Sequence, residues 1–209
     1  MKITSLTLGP VQTNTYIVAD TETNESIVID PAWDGAEIAK IALESGWQIK
    51  EIWLTHAHFD HIGGVADLAA SLLKAPSVYL HPDDYDLWKS GGGAARFGFN
   101  IDPGPEPNPL IHGEILHVGN FVFEARHTPG HRPGHSVFYC ANAGILFSGD
   151  LIFSRSVGRT DLPGGNWDAL EKSIRDQIYT LPDETRIFSG HGEETSVGEE
   201  KRENPFVGV

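Results

Sequence analysis

Four side chains able to bind a metal ion, His56, His58, Asp60 and His61, fall within six consecutive positions of the run Leu-Thr-His-Ala-His-Phe-Asp-His-Ile-Gly-Gly, residues 54–64. Imidazole and carboxylate groups taken out of water must be hydrogen-bonded, charged or metallated. A packed apolar core has little use for four of them together, so metal binding is a more economical reading than a solvated polar turn. Further metal-ligand residue types recur singly downstream: His131 in Thr128-Pro129-Gly130-His131, Asp150 in Ser148-Gly149-Asp150, and His191 in Gly190-His191-Gly192.

The elements that must position these groups can be read from periodicity. An apolar run, 49–55, reads as a strand that delivers His56, and alternation along it puts His56 and His58 on one side where the extended conformation persists. Asp60 and His61 lie past a bend, where Gly63-Gly64 lets the chain turn into a helix over 65–73. They can therefore face a neighbouring position, which suits two metals. Upstream, residues 2–8, 14–19 and 25–29 carry β-branched or aromatic residues between turn signals and read as three antiparallel strands, and 36–43 carry helical spacing stopped by Gly46. Downstream come a short strand, 77–80, and a short helix, 82–88, with acidic residues in its first turn. Residues 90–110, rich in Gly and Pro, read as a long mobile loop able to cover a substrate. Hairpins over 115–118/121–125 and 137–140/144–148 end near His131 and Asp150. An amphipathic helix, 167–181, shows Leu170, Ile174, Ile178 and Leu181 on one stripe, and a last strand, 186–189, leads to His191. His81 reads as a satisfied histidine at a strand end, while His112 and His117 read as surface or loop residues.

The whole chain limits what can be done at such a site. Its 209 residues, 40% hydrophobic, suffice for one domain spanning 1–209. A formal charge of −14 argues against a nucleic-acid backbone or an anionic membrane as partner, since both need a basic surface. The N-terminus lacks the apolar run of a secretion signal, so a cytoplasmic protein is expected. Cys140 is the only cysteine, which excludes an intramolecular disulfide and a multi-thiolate zinc site; its apolar surroundings suggest an inert buried thiol.

The four motifs His-Ala-His-Phe-Asp-His, Thr-Pro-Gly-His at 128–131, Ser-Gly-Asp at 148–150 and Gly-His-Gly at 190–192, in this order, resemble the metallo-β-lactamase fold superfamily. Gly158 to Gly165 (GRTDLPGG), with the stretch from Glu194 through Asn204-Pro205-Phe206, resembles in particular the short single-domain glyoxalase II hydrolases. That resemblance implies an α/β fold, a four-layer αβ/βα sandwich of two mixed sheets with outer helices. It implies one metal on His56, His58 and His131, a second on Asp60, His61 and His191, Asp150 bridging them, and Asp60 and Asp150 as the catalytic carboxylates. Asp30, after a strand and before Pro31, is either the family's acidic residue that orients a ligand or an ordinary turn former. His135 matches a position near the family's site and is a candidate on the substrate side, with ordinary packing as the alternative. Arg155 and Arg159 are the candidate anchors for an anionic substrate, with structural ion pairing as the alternative. Zinc is the default for a His-rich site without thiolates, and iron and manganese also suit it.

The implied chemistry is hydrolysis of a small acyl thioester of the S-lactoylglutathione type. Two cations about 3.5–4 Å apart bring a bridging water to hydroxide near neutral pH. A thiolate, with an intrinsic pKa of about 8.5, leaves without a strong general acid. No dedicated acid is evident, which fits a thioester better than a lactam. The alternatives are a mononuclear iron persulfide dioxygenase on His56, His131 and Asp150, a hydrolase of another ester or phosphodiester, and a metal-dependent scaffold. Longer glyoxalase II proteins carry a C-terminal helical region that supplies basic residues for glutathione, and the expectation here is a chain without it.

Overall fold

Residues 1–209 are described by a computed structural model. Its backbone contacts divide the chain into two units, residues 1–110 with 117–121 and residues 111–116 with 122–209.

The first unit opens with β1 (Lys2–Leu8), β2 (Thr13–Ala19) and β3 (Glu25–Ile29), paired antiparallel as expected. The chain then crosses through α1 (Gly35–Glu44) to β4 (Gln48–Trp53), which pairs parallel to β3. It continues through α2 (Phe59–Ile62), α3 (Val65–Ser71), β5 (Ser77–Leu80), α4 (Tyr85–Lys89) and β6 (Asn108–Pro109), and the sheet order is β1-β2-β3-β4-β5-β6. Ile17, Val28, Ile52 and Leu54 meet Ile38 and Ala42 of α1 and Val65 and Leu68 of α3 in one apolar cluster. Because β3 and β4 are parallel and Ile29 lies opposite Trp53, both strands end together. Asp30 and the residues after Trp53 therefore emerge side by side, and the Asp30 amide donates to the Trp53 carbonyl at 3.1 Å.

Three expectations for this unit are revised. Gly63 and Gly64 have φ of −60° and −96°, which any residue adopts, so they are not needed for a special turn. They are needed for close approach: a Cβ on Gly63 would lie 2.6 Å from the Ala32 carbonyl oxygen and 2.7 Å from the Trp33 ring. Residues 90–110, expected as a long mobile loop, also carry local structure at both ends. Gly91–Phe97 winds into 3-10 turns with Gly91, Gly92 and Ala94 buried. Asn108–Pro109 adds the edge strand β6, and the Tyr85 hydroxyl donates to the Pro107 carbonyl at 3.2 Å. The expected helix over 82–88 begins as a 3-10 turn, with the His81 ring capping the Asp83 amide, before α4 starts.

The second sheet is built from β7 (Ile115–Val118), β8 (Phe121–His127), β9 (Ser136–Cys140), β10 (Ile145–Gly149), β13 (Arg186–Ser189) and β14 (Thr195–Ser196), in the order β14-β13-β10-β9-β8-β7. β10 pairs antiparallel with β9 and parallel with β13. Between them run a small hairpin, β11 (Ile152–Phe153) and β12 (Ser156–Val157), and α5 (Trp167–Ser173). Asn166 caps α5 through its side-chain oxygen, and a π turn, Ile174–Ile178, prolongs it. Leu170, Ile174, Ile178 and Leu181 are all buried, as their stripe predicts. β13 is not the last strand: β14 and the Ser196-capped helix α6 (Val197–Glu203) follow. Two-residue strands carry no periodicity from which to read them. Cys140 is fully buried, and burial pushes its thiol pKa up. No helix is long and apolar enough to cross a membrane.

Gly63→Ala should destabilise the protein by about 1–3 kcal/mol through overpacking, read from the urea unfolding midpoint; an unchanged midpoint would contradict the close approach. A second expectation concerns Tyr179, whose hydroxyl donates to the Glu200 carbonyl at 3.1 Å. Burial first, and then the Glu200 charge, push its phenol up from 10.0 to about 12. Folding therefore holds this proton more tightly, and the associated stability is complete below pH 10 and lost as pH rises towards 12. Tyr179→Phe should flatten that part of the stability-versus-pH curve.

Candidate metal centre

In the first unit the ligand candidates are held by a buried carboxylate. Asp30, at φ +48°, accepts the Thr55 amide at Oδ1 (2.8 Å), and at Oδ2 the Thr55 hydroxyl (2.6 Å) and the His61 ring Nδ1 (2.9 Å). A carboxylate only accepts, so the His61 proton lies on Nδ1 and the lone pair on Nε2. That Nε2 is 3.6 Å from Asp60 Oδ2, which in turn accepts the Thr13 hydroxyl at 3.0 Å. The Thr55 proton is committed to Asp30, so the Thr55 oxygen accepts from His56 Nδ1 at 3.0 Å. The His56 lone pair is thereby also placed on Nε2, which lies 3.0 Å from His58 Nδ1. Between the two histidines, the Ala57 amide donates to the fully buried Asp84 at 2.9 Å, fixing the backbone that carries both rings.

The second unit repeats this logic with backbone partners. His131 Nδ1 donates to the Arg159 carbonyl at 2.8 Å, leaving the lone pair on Nε2. Nε2 of His131 and Nε2 of His191 each lie 3.6 Å from the same oxygen, Oδ2 of Asp150. The Asp150 amide donates to His135 Nε2 at 3.1 Å, and the opposite ring nitrogen of His135 donates to the Thr128 hydroxyl at 2.9 Å.

Each unit thus presents imidazole nitrogens whose other ring atom is held by a carboxylate, hydroxyl or carbonyl, the arrangement that orients metal-ligating histidines. With carboxylate oxygens between them and no thiolate, this donor set fits divalent zinc, iron or manganese.

Three candidates from the sequence take other places. His135 is fully buried with both ring nitrogens engaged inside the protein, so it holds Asp150 in position and is not a substrate-side group. Arg155 is ion-paired to Glu203, its Nε 3.0 Å from the carboxylate. Arg159 grips Asp161 with two 2.7 Å bonds, and this guanidinium holds the Asp161 carboxyl at about 2. Both arginines are therefore structural ion pairs, and Arg159 serves the site through its carbonyl. Thr13, Thr55, Asp84 and Thr128 were not legible as site residues. Asp84 reads as an acidic residue at a helix start, and threonines in strands carry no chemical signal of their own.

The family model of the metallo-β-lactamase superfamily matches residues 8–191. The chain belongs to the metallo-β-lactamase superfamily. Its two mixed sheets with helices are the metallo-β-lactamase fold. That fold binds divalent metals, and superfamily members are mostly hydrolytic enzymes. The chain is similar to the hydroxyacylglutathione hydrolase GloC of Haemophilus influenzae, 35% identical over 99% of this chain and 98% of the relative. The solved structure of TTHA1623 in a di-iron-bound form is 42% identical, with a TM-score of 0.87 over 97% of this chain and 99% of the other. The BLEG-1 B3 metallo-β-lactamase is 35% identical, with a TM-score of 0.89 over 99% of both.

Asp30→Asn would replace a buried double acceptor with an amide that must turn a donor towards Thr55 or His61. Metal affinity should fall by about 10–100-fold in a chelator-competition titration. Unchanged affinity would remove Asp30 from the metal centre.

Proposed function

We propose that this chain, as one cytoplasmic domain over 1–209, is a binuclear metal-dependent hydrolase of small acyl thioesters of the S-lactoylglutathione type. One ion is assigned to His56, His58 and His131 and the other to Asp60, His61 and His191, with Asp150 shared. The observation that carries the reading is the single Asp150 oxygen set 3.6 Å from the Nε2 atoms of both His131 and His191, the position of a carboxylate shared by two ligand sets. The similarity to a hydroxyacylglutathione hydrolase supports the thioester. Zinc is the first expectation, and the di-iron form of a similar protein keeps iron in view.

Bound divalent ions supply Lewis acidity and a water deprotonated near neutral pH. The protein's own part is to hold its ligands without motion. Asp30 and Thr55 lock the tautomers of His61 and His56, the Arg159 carbonyl locks that of His131, and His135 fixes the backbone of Asp150. Asp60 and Asp150 would hold the ions through their carboxylates, with Thr13 keeping Asp60 aimed. A thiolate leaving group asks little of a general acid, and no lysine or tyrosine is needed in that role.

A mononuclear iron dioxygenase would give Asp60 and His61 no ligand role. The hydrogen bonds that orient both residues favour two metals. The test is metal content of the purified protein with a panel of a thioester, a persulfide, a lactam and a phosphodiester. Two ions per chain and thiol release from the thioester are expected. One iron with oxygen uptake on the persulfide, or turnover of the lactam or phosphodiester alone, would overturn the reading. Asp150→Ala should lose bound metal and lower turnover by more than about 100-fold together, and a variant keeping both would refute the shared role of Asp150.

A further inference from the structure

We infer that Arg96, carried on the 3-10 turn Gly91–Phe97, is the residue that reads an anionic group on the thiol half of the substrate. The inference rests on the thioester reading and names its substrate class: thioesters whose thiol bears a carboxylate.

The turn is pinned to the ligand run. Gly92, at φ +68°, packs so tightly that a Cβ would stand 2.4 Å from the Phe59 nitrogen, and Phe59 lies between the ligand candidates His58 and Asp60. Phe97 meets the Phe59 ring at 5.1 Å with the planes tilted by 30°, Phe99 stacks on Phe59 at 5.8 Å, and Trp33 meets Phe99 edge-on at 5.6 Å. Phe97 is 59% exposed, so the aromatic layer that starts inside the metal motif ends at solvent.

Arg96 immediately precedes Phe97, is exposed, and is the only arginine in residues 1–110. It has no carboxylate partner, whereas the guanidinium groups of Arg155 and Arg159 are both taken by acids. In a chain of charge −14, an anionic substrate is repelled unless a local cation offsets the field. A guanidinium forms charge-assisted, bidentate hydrogen bonds with a carboxylate that are stronger than neutral ones. The 2-hydroxyacyl part of the proposed substrate carries no charge, so the anion that Arg96 meets belongs to the thiol.

The test compares metal-loaded wild type, Arg96→Ala and Arg96→Lys on S-lactoylglutathione and on the lactoyl thioester of uncharged N-acetylcysteamine. Arg96→Ala should raise KM for the glutathione ester about tenfold with kcat nearly unchanged. It should leave the neutral ester unaffected, and Arg96→Lys should fall between. The wild-type preference for the glutathione ester should weaken with added salt. Equal effects on both esters, or none, would overturn the assignment. If wild type hydrolyses neither ester, the thioester reading fails. Calorimetric binding of S-methylglutathione then decides the assignment separately: binding lost in Arg96→Ala supports it, and absent or unaltered binding refutes it.

Discussion

The buried carboxylate of Asp30 is the constraint on which the geometry of the first ligand set depends. A charge removed from water is tolerated only when its lone pairs are met. Here they are met by the backbone and hydroxyl of Thr55 and by the ring of His61. Those donors sit at the end of one parallel strand and beyond it, while Asp30 ends the neighbouring strand. Releasing any donor would leave a buried charge short of a partner, so the two strand ends cannot drift without cost. Aspartate also tolerates the left-handed backbone that Asp30 adopts better than a branched residue would.

The ligand types were legible because chemistry concentrates them: imidazoles and carboxylates at the ends of apolar runs stand out against any core. The strands of the first sheet were legible for a related reason, since β-branched and aromatic residues between turn signals mark them, and β2 is buried along its whole length. What could not be read is what holds the ligands. Thr13 and Asp60 lie far apart in sequence, as do Asp84 and Ala57, and only the fold brings them together. His135 resembled a site residue by its nearness to His131, yet its two ring nitrogens are spent on Thr128 and Asp150. Gly63 and Gly64 suggested a turn, but their small size serves the approach of residues 31–33, which no local pattern could reveal.

Electrostatics divides the arginines in the same way. Residue type alone made Arg155 and Arg159 equal candidates for recognition, and their position after Asp150 added to the case. Nearby acids took both: Glu203 from the C-terminal helix and Asp161 from two residues along. Exposed pairs of this kind contribute little stability. Their effect is to remove those cations from competition for a ligand and to keep the chain's negative field largely uncompensated at long range.

The parallel pairing of β10 with β13 has a kinetic consequence. Asp150 directly follows one of these strands and His191 comes soon after the other, and everything from the β11–β12 hairpin through α5 lies between them in the chain. Contacts separated by so much sequence form late, because the closure entropy of the intervening loop must be overcome before the pairing rewards it. The strand pair that sets Asp150 beside His191 is thus among the last features of its sheet to assemble, and a nascent chain holds the His56–His61 run long before the remaining residues can join it.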